Sequence, residues 1–265
     1  MQYRQFDQTG HEVSLCKIPV RIISLVPSQT ELLYDLGLCD RVVGITKFCC
    51  RPTHWAKNKT KVGGTKTPKI NLIQDLNPDL IIANKEENTL EDIKLLRQNF
   101  PVWTSDIANL KDALEMIKSV GTMTGTKEAA DEMTDQILVQ SQNFRSLFPS
   151  GAPKRKVCYL IWKKPYMSVG GDTFIHSMLD NLGFENVFAN KKRYPEVTLD
   201  EILSCKPEYI FLSSEPYPFK PKDMAEFSNL KAYLVDGESF SWYGSRLLHS
   251  FSYFRSLVTE IQSFS

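Results

Sequence analysis

At the roughly 150 residues of a common domain, a chain of 265 residues holds one large or two modest domains, which excludes a single small module. Hydrophobic residues make up 42%, aromatic ones 11% and charged ones 24%, a mix that buries a real core and excludes disordered and fibrous classes. Lys plus Arg (32) nearly cancel Asp plus Glu (31), so the net charge of +1 gives no overall field to gather nucleic acid or an anionic membrane.

The chain opens on residues 1–12, where no basic stretch precedes an apolar one; this predicts no secretory leader and a cytoplasmic chain. His11 falls in an expected N-terminal hairpin. Arg21 to Leu25 is a short apolar run ending at Pro27-Ser28, after which Leu32, Leu33 and Leu36 recur at helical spacing and Gly37 closes the segment. The run as far as Pro27 stops well short of the ~20 residues of a membrane-spanning helix. Val42 to Ile45 reads as a second strand, Asp79 to Ala83 as a third after the turn-forming Asn77-Pro78, and Pro101 to Trp103 as a fourth. Leu110 to Val120 reads as a helix. Strands alternating with helices predict an α/β fold with a mostly parallel sheet and helices on both faces.

Thr126 to Phe148 follows with Thr126 as N-cap and no Gly or Pro, so one continuous helix about 33 Å long is expected, ended by the stretch from Pro149 to Pro153. The second half then repeats the plan of the first. Val157 to Ile161 leads into Gly170-Gly171, and Leu179, Leu182, Gly183 mirror Leu33, Leu36, Gly37. A sharper echo pairs Ile73 to Pro78 with Ile202 to Pro207 at identical spacing. Two echoes in the same order indicate two similar lobes. The expected division is therefore 1–125 for the N-terminal lobe, 126–148 for the connecting helix and 149–265 for the C-terminal lobe.

Nucleophile elbows, H-E-x-x-H and both glycine-rich phosphate motifs are missing. The six cysteines are too sparse for a disulfide scaffold, and Cys49-Cys50 with His54 falls short of the roughly four ligands of a closed metal site; no metal is expected. Polar and aromatic residues do collect at the carboxyl ends of the expected strands, where open α/β sheets place their ligand crevices. They are the loops at Pro27–Glu31, Lys47–Cys49 and Asn84–Asn88 in the first half, and Trp162–Tyr166, Ser213–Tyr217 and Phe240–Tyr243 in the second. Val62 to Lys66 adds a glycine turn whose backbone can approach a ligand closely, and Lys47, Lys66 and Lys85 are either a positive rim or solvated lysines.

Three stretches are specific in combination: Asp7-Gln-Thr-Gly10-His-Glu-Val13, Pro19-Val-Arg21-Ile-Ile-Ser-Leu-Val-Pro27-Ser-Gln-Thr-Glu31, and Asn77-Pro78-Asp79-Leu80-Ile81-Ile82. With them the chain resembles the substrate-binding proteins of ABC importers for iron siderophores, heme and cobalamin, and is most similar to the cobalamin-binding branch. The resemblance implies two Rossmann-like α/β lobes joined by one long rigid helix, with a ligand cleft between the lobes and little closure. It implies a monomeric binding protein, not an enzyme, without resident metal or covalent cofactor: the ligand is a corrinoid or another large metal chelate such as heme or a ferric siderophore. By the same resemblance Ser28, Lys47, Phe48, Gly64, Trp162, Tyr166, Trp242 and Tyr243 line the ligand site, with Trp162 and Trp242 foremost because flat rings suit a macrocycle. Docking on a membrane permease would use one acidic residue per lobe. Asp200 matches in the C-terminal lobe, whereas Asn71 stands where the family usually has Glu. The family location is the periplasm or cell envelope. Two alternatives remain open: a cytoplasmic carrier or sensor of the same ligand class, and an enzyme using Glu86, Glu87, Glu215 or His54 as acid or base.

Overall fold

The computed structural model describes residues 3–148 and 153–263, which form two compact units. Unit 1 holds the residues up to Asp106 together with Lys111–Gln136 and Tyr243–Arg246; unit 2 holds Ile107–Leu110, Ile137–Trp242 and the residues from Leu247 onward. Among the described residues no helix is long and apolar enough to cross a membrane.

Unit 1 begins with an antiparallel hairpin, β1 (Tyr3–Phe6) and β2 (Glu12–Leu15). Asp7 holds its turn. One carboxylate oxygen accepts from the Thr9 amide and hydroxyl and the His11 amide, and the other from Arg97 at 2.6 Å and the Thr104 amide, so a fully buried charge has both an ionic partner and a complete set of donors. There follow β3 (Ile22–Ser24), α1 (Pro27–Asp35), β4 (Val42–Ile45), α2 (Thr53–Asn58), β5 (Thr60–Lys61), α3 (Ile70–Leu76), β6 (Leu80–Asn84), α4 (Leu90–Arg97) and β7 (Val102–Ser105). The five strands β3 to β7 make one parallel sheet in the order β5-β4-β3-β6-β7. Every residue of β3 and β6 is buried, as a parallel sheet covered on both faces requires. One face packs Ile23, Ile81 and Ala83 against Ile73 of α3 and Ile93 and Leu96 of α4.

Two long helices come next, α5 (Leu110–Thr124) and α6 (Lys127–Arg145). They approach closely at Gly121, where a Cβ would stand 2.3 Å from that of Ala130. The connecting helix is thus continuous as expected, three residues shorter at its end, with residues 127–136 in unit 1 and 137–145 in unit 2. Thr126 supplies the first carbonyl of the ladder to the Ala130 amide, while its hydroxyl meets that of Thr124. The expected stop at Pro149, Ser150, Gly151 and Ala152 lies outside the described residues.

Unit 2 comprises β8 (Arg155–Trp162), β9 (Tyr166–Ser168), α7 (Phe174–Asn181), β10 (Phe184–Asn186), β11 (Glu196–Val197), α8 (Leu199–Ser204), β12 (Tyr209–Ser213), a 3-10 stretch at Pro221–Phe227, β13 (Lys231–Val235), α9 (Gly237–Ser241) and α10 (Leu247–Ser263). The sheet runs β11-β9-β8-β12-β13, with β10 also on β8; β9 is antiparallel to β8 while β10, β12 and β13 keep the parallel sense. Alternate residues of β8 and β12 divide between two cores. Cys158, Leu160, Ile210 and Leu212 face an aliphatic one with Ile202 of α8, whereas Tyr159 and Phe211 join Phe184, Phe240 and Phe254 in an aromatic one.

Both sequence echoes are conformational. Gly37 and Gly183 each sit just past a helix, α1 and α7, in the left-handed region at φ +77 and +79. Asn77 and Lys206, each before a buried proline, share φ +43 and +49 and lead from α3 into β6 and from α8 into β12. Asp7→Ala is expected to lower unfolding free energy by about 3 kcal/mol in denaturant titration, because it strands Arg97 and three backbone amides near a buried site.

Candidate functional site

In an open α/β sheet the crevice opens at the carboxyl ends of the strands where successive connections leave in opposite directions. In unit 1 that point is β3, which has β4 on one side and β6 on the other; in unit 2 it is β8, flanked by β9 and β10 on one side and β12 on the other. The loops leaving β3 and β6 in unit 1 and those leaving β8 and β12 in unit 2 are thus the candidate surfaces of each unit; of the residues singled out from the sequence, Ser28, Trp162 and Tyr166 follow these strands, whereas Lys47, Phe48 and Gly64 follow β4 and β5, and Trp242 and Tyr243 follow α9.

In unit 1, Ser28 lies in the first turn of α1 and is buried. Its carbonyl would be 2.7 Å from a Cβ at Gly244, so the Tyr243–Arg246 segment lies directly on α1; Tyr243 is only 6% exposed. The segment is fastened by Arg246, whose Nε donates to Glu31 Oε2 at 3.1 Å and whose Nη2 donates to Oε1. Lys47, Phe48 and Gly64 come together after β4. The Lys47 amide donates to the Gly63 carbonyl, a Cβ at Gly64 would stand 3.2 Å from the Phe48 ring, and the Lys47 ammonium lies 5.0 Å from the centre of that ring. Phe48 itself is 54% exposed. Its neighbour Cys49 is buried with its sulfur 3.1 Å from the Thr30 hydroxyl and 3.2 Å from that of Thr46, while Cys50 and His54 are exposed and His54 lies edge-on to Tyr34.

After β6 the loop is built by two asparagines. Asn84 accepts from the Glu86 and Glu87 amides, and Asn88 accepts from the Asn84 amide while donating to the Leu25 and Thr65 carbonyls. Lys85 pairs with Asp106 at 2.5 Å, and Lys66 donates to the Glu86 carbonyl.

In unit 2, Trp162 ends β8 and is 39% exposed, with its ring edge-on to Tyr217 at 5.7 Å; Tyr217 in turn lies 4.8 Å from Phe219. Tyr166 starts β9, rests on Phe227 and donates its hydroxyl to Glu226. Trp242 is 6% exposed and donates its indole N–H at 3.0 Å to Glu215, which also accepts from the Ser241 hydroxyl. Of the two tryptophans expected to face a ligand, Trp162 presents a surface and Trp242 braces the Glu215 loop. Tyr217 was not singled out individually from the sequence; the signal for it was its place in the stretch after β12. Asn71 on α3 and Asp200 on α8 are both exposed, one on each unit.

Three carboxyl groups of these loops are held above the ordinary carboxylate range by burial. Glu31 is pushed up from 4.5 to about 7 despite the offsetting charge of Arg246. Glu87 is raised by burial against the offset of Lys66, and Glu215 by burial against its two hydrogen-bond donors. Between 4.5 and about 7 the folded chain holds a proton on Glu31 that the unfolded chain has released, so stability falls as pH rises through that window and levels off above it. Thermal melts taken in steps from pH 5 to pH 8 are expected to show a declining midpoint, with a shallower decline for Glu31→Gln.

Comparison with known proteins gives the family and the fold. The Vitamin B12-binding protein of Vibrio cholerae serotype O1 (strain ATCC 39315 / El Tor Inaba N16961) is 28% identical over 195 residues, which is 73% of this chain and 70% of the relative. The uncharacterized ABC transporter substrate-binding lipoprotein YvrC of Bacillus subtilis (strain 168) is 26% identical over 211 residues, 77% of this chain and 67% of that one. The crystal structure of the periplasmic vitamin B12 binding protein BtuF of Vibrio cholerae shares the fold at a TM-score of 0.81 and 22% identity, covering 92% of this chain and 98% of that chain. A family model described as periplasmic binding protein matches residues 22–232, from the first residue of β3 into β13. The chain belongs to the periplasmic binding protein family.

Proposed function

We propose that this binding protein is the substrate-binding component of an ABC importer and that its ligand is a corrinoid or another large, flat metal chelate. The observation that carries the reading is an exposed aromatic side chain at a strand end of each unit, Trp162 backed by Tyr217 after β8 in unit 2 and Phe48 after β4 in unit 1. Rings of this size give a macrocycle broad apolar contact. Lys163, Lys85 and Arg246 are each engaged by carboxylates of the chain, while Lys47 and Lys66 are exposed. The relatives named for vitamin B12 put a corrinoid ahead of heme and ferric siderophores in this reading. The names of the relatives support the ligand class and the importer role.

In this reading Ser28, Lys47, Phe48, Gly64, Trp162 and Tyr166 are ligand contacts, and the buried Trp242 and Tyr243 support the loops of their own units. The metal arrives inside its chelator, and the protein works outside the cytoplasmic membrane, as its family name implies. Asp200 would meet a permease arginine from unit 2, and Asn71 would offer a neutral contact from unit 1.

Titration calorimetry with cyanocobalamin, hemin and a ferric siderophore tests the proposal. Saturable one-to-one binding of cyanocobalamin is expected, weakened about tenfold by Trp162→Ala, a loss of about 1.4 kcal/mol that fits one stacked ring. Absence of saturable binding to all three ligands would overturn it.

A further inference from the structure

The turn between β8 and β9 carries a side chain that neither the ligand surface nor the sheet accounts for. Lys163, next to Trp162, turns away from solvent and is 11% exposed. Its ammonium lies 2.7 Å from Asp223 and 2.5 Å from Glu226, both in the 3-10 stretch Pro221–Phe227 of the connection from β12 to β13. Asp223 is 5% exposed and is fixed further by the Lys220 amide at 2.8 Å. Glu226 also accepts from the Tyr166 hydroxyl, so both ends of the β8–β9 turn are tied to the same stretch. The same β12–β13 connection carries Tyr217, against which the exposed Trp162 ring rests, and Phe219, which lies against Tyr217. The Tyr217 amide donates to the Ile161 carbonyl, one residue before Trp162, which leaves the two loops joined at their base and pinned at their tips.

We propose that Lys163 is a positioning residue for the ligand surface: bridging Asp223 and Glu226, it locks the β8–β9 turn to the β12–β13 connection and so sets the angle at which Trp162 is presented beside Tyr217. An ion triad with two of its three members largely buried adds little net stability compared with apolar packing of the same volume, because desolvation offsets most of the attraction. What it adds is geometry. The ammonium is satisfied only where both carboxylates reach it, so the two loops have one register instead of several. Lys163 holds its proton firmly, and Asp223 and Glu226 lie below the ordinary carboxylate range chiefly through their bonds to it, which keeps the triad charged at neutral pH. The consequence for affinity rests on the reading of Trp162 as a ligand contact; the consequence for the ring itself does not.

The test uses Lys163→Met, Lys163→Arg, Trp162→Ala and the double variant in the full chain. Two quantities are read: acrylamide quenching of the emission that disappears in Trp162→Ala, and calorimetric affinity for cyanocobalamin. Trp55, Trp103 and Trp242 are buried, so the accessible emission belongs to Trp162. Lys163→Met is expected to change the Trp162 quenching constant about twofold and to weaken binding about tenfold, as Trp162→Ala does, with Lys163→Arg restoring both. The double variant is expected to bind no more weakly than Trp162→Ala alone, the mark of two residues acting through one contact. Unchanged quenching in Lys163→Met overturns the proposal whatever the affinity. Changed quenching with unchanged affinity overturns its ligand consequence if Trp162→Ala weakens binding; if Trp162→Ala also binds normally, the failure belongs to the reading of Trp162 as a ligand contact. Should Lys163→Met fail to fold, Glu226→Gln with Tyr166→Phe opens the exposed half of the triad, and the same quenching measurement decides.

Discussion

A strand hydrogen-bonded on both edges and covered on both faces has only its ends to offer to solvent, and β3 and β8 are held in this way. Nearly everything of functional interest follows from that constraint. Side chains within these strands must be apolar or internally bonded, as Tyr159 is to Ser213. Polar and flat groups are displaced to the carboxyl ends, where Ser28, the Asn84–Asn88 loop, Trp162 and Glu215 are found. The direction of the neighbouring connections then opens those ends as crevices in each unit.

Ion pairs tie the loops at these ends to other parts of their units. Arg246 with Glu31 and Lys163 with Asp223 and Glu226 each join segments that no strand ladder joins, and Lys85 with Asp106 continues the β6–β7 ladder past its last pair. Buried carboxyls such as Glu215 are satisfied by neighbouring N–H and O–H donors. Phe48 and Trp162 stand exposed at these strand ends, alongside the exposed Lys47, Lys66 and Lys85.

The residues by which the family can be recognised act in the fold. Asp7 closes the first hairpin and anchors Arg97. Asp79 accepts from the Val20 and Arg21 amides, and Arg21 donates to the Leu76 carbonyl at the end of α3, so the second and third recognition stretches are bonded to each other. Asn77 supplies the left-handed residue that turns α3 into β6. Such motifs identify an architecture and say little of its ligand, because outside the stretch 27–31 their side chains act within the fold and not in the strand-end loops.

The sequence by itself determined the α/β alternation, the two-lobe repeat and the long helix, because helical spacing, apolar runs and turn residues act over a few positions of the backbone. It also placed the polar and aromatic stretches at strand ends, since that follows from strand polarity once the strands are known. It did not separate Trp162 from Trp242: both are tryptophans beside aromatic neighbours, and only the packed chain leaves one 39% and the other 6% exposed. Nor did it reveal that Lys163 meets Asp223 and Glu226, or that Arg246 meets Glu31 from 215 residues away. Exposure and ionic partnership are set by segments distant in the chain that folding brings together, and no local pattern encodes which of many carboxylates a given cation will reach.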